Sequence, residues 1–69
     1  MKKTYTVSGM MCQHCRAHVE RALNTLEDVT ATVTLNPAQA VVTFSGEALP
    51  LTELQRVVTE EAGDYTLNE

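Results

Sequence analysis

The spacing of the apolar residues alternates along this chain between every second position and the three-and-four spacing of a helix, which leaves few folds open. Thr4-Tyr5-Thr6-Val7 alternates polar with apolar, as a half-buried strand does, and stops at Ser8-Gly9. From Cys12 to about Leu26 the period changes. Cys15, Val19, Ala22, Leu23 and Leu26 fall at i, i+4, i+7, i+8 and i+11, one stripe of a helix, with Arg16, Glu20, Arg21 and Asn24 mostly off it. Val29, Ala31, Val33 and Leu35 then alternate with Thr30, Thr32 and Thr34. Asn36-Pro37-Ala38-Gln39 supplies turn residues before Ala40–Phe44, so the two runs are expected to pair as an antiparallel hairpin. Ser45-Gly46 breaks the second run and Pro50 suits a first helical turn. Leu51, Leu54, Val57, Val58 and Ala62 form another helical stripe ended by Gly63, and Tyr65-Thr66-Leu67 is a short last strand.

The order β-α-β-β-α-β predicts an α+β fold, the ferredoxin-like split βαβ arrangement: an antiparallel four-stranded sheet with both helices on one face. No linker, repeat or low-complexity stretch interrupts residues 1–69, so the whole chain reads as a single domain. Sixty-nine residues give a thin core and no room for separate substrate and cofactor domains, so an enzyme is not expected. No apolar run approaches the ~20 residues that span a bilayer, so no membrane insertion is expected. Met1-Lys2-Lys3-Thr4-Tyr5 has no apolar stretch behind its lysines and does not read as a secretory signal; a cytoplasmic domain is the expectation. The net charge is −4, unevenly spread. Lys2, Lys3, Arg16 and Arg21 face Glu20 alone in residues 1–21, whereas Arg56 is the single cation against the carboxylates of residues 22–69. So few cations make nucleic acid a poor partner. The early cations read either as chance clustering on a solvated surface or as a positive collar that meets an acidic partner.

Both cysteines lie in Gly9-Met10-Met11-Cys12-Gln13-His14-Cys15, two residues apart at the mouth of the first helix. A thiol there sits among unpaired backbone N–H groups at the positive end of the helix dipole, which favours its thiolate and lowers its pKa. Thiolates are soft ligands and good nucleophiles, so the pair has three readings: metal binding, disulfide exchange or a structural staple. A staple between near neighbours in sequence constrains little of the unfolded chain. A redox module of the thioredoxin kind also carries CxxC at a helix N-terminus, but this chain is short for that fold, lacks the apolar and proline surroundings of such a dithiol, and has no spare strand-helix unit.

Gly9-Met10-Met11-Cys12-Gln13-His14-Cys15, running into Val19-Glu20-Arg21-Ala22-Leu23, resembles the Gly-Met-x-Cys-x-x-Cys signature of heavy-metal-associated domains. The resemblance covers the whole chain in element order. Members of that family are cytosolic copper chaperones or N-terminal metal-binding domains of copper-transporting P-type ATPases, and a few handle mercury, zinc or cadmium. The resemblance implies that Cys12 and Cys15 are the metal ligands and that Met10 is a core residue under the loop. Two thiolates with no obvious third donor suit Cu(I), a soft ion content with near-linear two-coordination, better than Zn(II), which takes four ligands; Cd(II) and Hg(II) are the further alternatives. The implied partner is the metal-binding domain of a P-type ATPase or a copper chaperone, with the chain a monomer or a metal-bridged dimer.

The neighbours of the cysteines carry weaker signals. Met11 is a possible thioether donor, but an outward filler or partner contact is the plainer reading, and a methionine where a carboxylate would favour zinc or cadmium weakens that alternative. His14 reads as a solvent-exposed histidine or a ligand in a bridged dimer. His18 follows Cys15 by three on the same side of the helix; it reads as a half-buried flank of the stripe, or as a group reaching back one turn. Tyr65 stands near the place where bacterial relatives carry a Gly-Tyr pair, but Asp64 separates it from Gly63, which leaves its ring either beside the metal loop or in the core strand. Tyr5 and Phe44 read as packing residues.

Overall fold

The computed structural model describes residues 1–69 and builds the expected order: β1 (Lys2–Ser8), α1 (Gln13–Asn24), β2 (Val29–Leu35), β3 (Ala38–Phe44), α2 (Leu51–Glu61) and β4 (Thr66–Asn68). The strands form one antiparallel sheet in the order β2-β3-β1-β4. The hairpin is tighter than its turn residues suggest. Only Asn36-Pro37, joined by a cis peptide, connect the strands, and Ala38 and Gln39 belong to β3. The reason is register: with Leu35 opposite Ala38, the pairs Val33–Ala40, Ala31–Val42 and Val29–Phe44 fall on the same face. β1 is longer than its alternating run because β3 pairs with it from Lys2 to Thr6, and β4 from Thr6 to Ser8.

Every second residue of the sheet points to one face. Tyr5, Val7, Val29, Ala31, Val33, Ala40, Val42, Phe44 and Leu67 are buried there under Val19 and Leu23 of α1 and Leu54 and Val58 of α2. The opposite face carries Thr4, Thr6, Thr30, Thr32, Thr34, Thr43 and Thr66, all exposed. Tyr5 packs as expected but its buried hydroxyl has no hydrogen-bond partner. Burial raises its pKa.

Both outer edges of the sheet are closed by helix side chains, which the apolar periodicity did not reveal. β2 is an edge strand, and on successive turns of α1 the side chains Arg16, Glu20 and Asn24 reach its unpaired backbone. Glu20 Oε2 accepts from Val33 N–H (2.9 Å), and Arg16 donates to the Val33 carbonyl (3.2 Å). Asn24 Oδ1 accepts from Ala31 N–H (2.9 Å) while its Nδ2 donates to the Ala31 carbonyl (3.1 Å). On the far edge Gln55 of α2 does the same for β4, donating to the Tyr65 carbonyl (2.7 Å) and accepting from Leu67 N–H (2.8 Å). Side chains thus stand where another strand would pair, which satisfies the edges and blocks association through them.

Candidate metal centre

The loop between β1 and α1 is held from below. Gly9 has φ +102°, and a Cβ on it would lie 3.0 Å from the Asp64 carbonyl oxygen and 3.4 Å from Cδ1 of Tyr65. Only glycine takes that conformation with a neighbouring segment so close. Met10 is half-buried and packs on the core, as its resemblance to a core residue implies, while Met11 is 88% exposed. Cys12 is the N-cap of α1 rather than its first residue: its backbone is extended and its carbonyl receives Arg16 N–H (3.1 Å). At the far end α1 stops at Asn24, short of Leu26, where the Thr25 hydroxyl donates to the Ala22 carbonyl (2.6 Å).

The two thiols are free and their sulfurs lie 3.3 Å apart, Cys12 exposed and Cys15 half-buried. No cluster of three or more His, Cys, Asp or Glu side chains is arranged to hold a metal ion, so the pair has no third such donor. The Cys15 thiol is lowered to about 7. The first cause is the Tyr65 hydroxyl, which favours the thiolate, followed by the Met11 backbone and the Cys12 side chain; the Tyr65 phenol is raised in turn, chiefly by Cys15. Of the two places open to Tyr65, the structure therefore chooses the one beside the loop. The extra residue, Asp64, is taken up by a γ-turn in which Tyr65 N–H donates to the Gly63 carbonyl (2.9 Å), after Gly63 itself turns at φ +125°. β4 begins one residue later than expected as a result, at Thr66.

Two expectations are corrected. His18 is not a half-buried flank: it is exposed on α1 and lines a cleft of about 270 Å³ with Arg21, Ala22, Thr25, Glu61 and Ala62. The positive collar does not exist as a ring around the cysteines. Lys2 and Lys3 begin β1, whose far end leads into the loop, some ~20 Å away at ~3.3 Å per residue. Lys3 pairs there with Glu69 (3.4 Å). Arg16 is spent on Gln13, Glu20 and the Val33 carbonyl, and Arg21, which has no ion pair, lies in the last turn of α1, away from the loop. Counting neighbours in sequence placed charges together that the strand separates. His14 is exposed, as expected.

A split βαβ sheet with a free thiol pair, one exposed and one half-buried, at its first strand-helix junction defines a small class of thiol-bearing domain. The chain belongs to the heavy-metal-associated domain family, whose model matches residues 4–64. It is 34% identical over 61 residues to the copper chaperone CopZ of Enterococcus hirae, covering 87% of this chain and 88% of that one. It is 32% identical over 68 residues to a copper-exporting P-type ATPase of Staphylococcus saprophyticus, covering 99% of this chain but 8% of the ATPase's length. Among solved structures it superposes on a CopZ metallochaperone with a TM-score of 0.81 and 26% identity, covering 97% of this chain and 98% of the other. The ferredoxin-like reading of the sequence and the family resemblance both hold. No helix is long and apolar enough to cross a membrane.

Proposed function

We propose that the chain carries one Cu(I) ion between Cys12 and Cys15 in the cytoplasm and hands it to thiolates of a partner, a copper chaperone or the metal-binding domain of a P-type ATPase. Family membership and copper-handling relatives support the class of cargo. The observation that carries the choice of ion is the donor set: two adjacent sulfurs and no third His, Cys, Asp or Glu beside them. At metal–sulfur bonds of ~2.3 Å a tetrahedral ion spaces two sulfurs ~3.8 Å apart and a linear one ~4.6 Å. Either ion must spread a pair now at 3.3 Å, so the spacing does not choose between them. Donor number does: Cu(I) is satisfied by two thiolates, whereas Zn(II) would lack half its shell.

Transfer follows from the same shortage of ligands. A partner thiolate adds to the two-coordinate ion, giving a three-coordinate intermediate. One Cu–S bond to this chain breaks as a second partner sulfur arrives, and the remaining one breaks last to leave the ion on the two partner thiolates, with no change in the oxidation state of copper. Cys12, the more exposed of the two cysteines, is where an incoming thiolate arrives first. The domain performs no catalysis in this scheme; it positions an ion.

The test is an anaerobic titration of the reduced protein with Cu(I) against a chromophoric chelator, repeated with Zn(II), Cd(II) and Hg(II). Tight one-to-one Cu(I) binding that disappears in the Cys12→Ser/Cys15→Ser variant is the expected result. Zn(II) or Cd(II) outcompeting Cu(I) on the same sample overturns the choice of cargo. Binding that survives the double substitution overturns the site.

A further inference from the structure

We propose that His14 and His18 form a second, separate metal site on α1, a bidentate imidazole pair for a borderline divalent ion of the Cu(II), Ni(II) and Zn(II) class. They are the chain's two histidines, and both lie in one helix, α1, at i and i+4. That spacing is ~6 Å along the axis and ~40° around it, so the two rings leave the same side of the helix one turn apart. The same arrangement supplies two of the zinc ligands in helical His-x-x-x-His motifs. Both residues are exposed, and neither imidazole donates or accepts a hydrogen bond or joins an ion pair. The intervening Arg16 is turned to Gln13, Glu20 and β2, which keeps its charge directed at other groups. The fold therefore makes no use of either ring.

The chemistry of this pair differs from that of the thiols beside it. Imidazole suits borderline divalent ions, where thiolates select soft ones, and affinity should rise from Zn(II) or Ni(II) to Cu(II) in the usual order. Glu61, across the cleft that His18 lines, supplies negative charge to the neighbourhood; Arg21 in the same cleft and the positive end of the helix dipole near His14 oppose a cation. No third side chain converges, so water completes the shell and the site is open and exchangeable, weaker than one built from three imidazoles. The first two turns of α1 would then carry two sites sorted by the hardness of the ion, and a divalent ion on the imidazoles would put positive charge beside the thiol loop.

The experiment uses the full chain with Cys12→Ser/Cys15→Ser, so that thiols neither bind nor reduce the probe, titrated with Ni(II) and then Cu(II) and followed by NMR. The amide spectrum reports whether that chain is folded. If it is not, the native chain preloaded with Cu(I) and titrated with Ni(II) anaerobically replaces it. The expected result is paramagnetic broadening centred on the His14 and His18 rings at near-stoichiometric metal, with His18→Asn and His14→Asn each weakening binding about tenfold or more. Broadening centred on the carboxylates or the amino terminus, or affinity unchanged in either asparagine variant, overturns the proposal. The outcome in the doubly substituted chain is independent of the Cu(I) reading, because the thiols are absent; the preloaded arm rests on that reading.

Discussion

The first turn of α1 and the turns that follow it are parts of one helix with opposite relations to the rest of the molecule. The first turn presents Cys12, His14 and a half-buried Cys15 to solvent, preceded by a fully displayed Met11, and buries little apolar surface. The later turns bury Val19, Ala22 and Leu23 and send Arg16, Glu20 and Asn24 to the edge of β2. The proposed release of a cargo needs an exposed, loosely held site, and a chain with 15 buried residues needs every remaining contact for stability. Dividing one helix between the two demands lets each be met. Substitutions along α1 should therefore pass from loss of fold to loss of chemistry as they approach Cys12.

Leu23→Ala tests the stabilising half most severely. Leu23 is fully buried between the sheet and both helices, and truncation leaves a cavity costing about 2–5 kcal/mol, a large share of the total stability of a domain this size. The denaturant midpoint of the metal-free protein should fall accordingly, with much of the chain unfolded at ambient temperature. A loss below ~1 kcal/mol would mean that the core end of α1 is no more important to the fold than its first turn.

Glu20→Ala should cost less, about 1–3 kcal/mol, because it strips the acceptor from Val33 N–H and leaves Arg16 beside the edge without its ion pair. Glu20→Gln keeps an acceptor and should recover most of the loss. Amide exchange at Val33 should speed up in the alanine variant and not in the glutamine variant, and the uncovered edge should make the alanine variant associate at high concentration. Equal exchange in both would show that the β2 edge is protected by something other than this seam.

The seam also marks where the sequence stopped being legible. Element order, core face and the family signature are carried by apolar spacing and by Gly9–Cys15, and these survive in three dimensions because each is local. Arg16, Glu20 and Asn24 share one helix face, yet a reading that scores apolar periodicity can only place them off the stripe; their partners, Ala31 and Val33, offer backbone atoms that no residue type announces. Lys2 and Lys3 are close to the loop in residue order but a strand's length from it in space, a separation that charge counting along a sequence does not show. Tyr65 stayed ambiguous because one extra residue, Asp64, shifts every later position unless a turn absorbs it, and a γ-turn is not visible in composition.

Tyr65→Phe removes a single oxygen and should leave stability almost unchanged, since the ring keeps its place beside Gly9. Its effect belongs to the other half of the comparison. With the hydroxyl gone, the largest cause of the lowered Cys15 thiol is removed, so its titration should move upward from about 7 toward the ordinary thiol range. Because the folded thiol is the more acidic one, its contribution to stability is present above the unfolded thiol's ~8.5 and is lost as pH falls through about 7. The same protonation competes with metal, so Cu(I) affinity should decline over that interval and further below it, and the phenylalanine variant should begin its decline at higher pH. The measurement is the rate of Cys15 alkylation against pH, read residue by residue by mass spectrometry. An unchanged midpoint would transfer the effect to the Met11 backbone and the Cys12 side chain, making the first turn of α1 self-sufficient in its chemistry rather than dependent on the segment that follows α2.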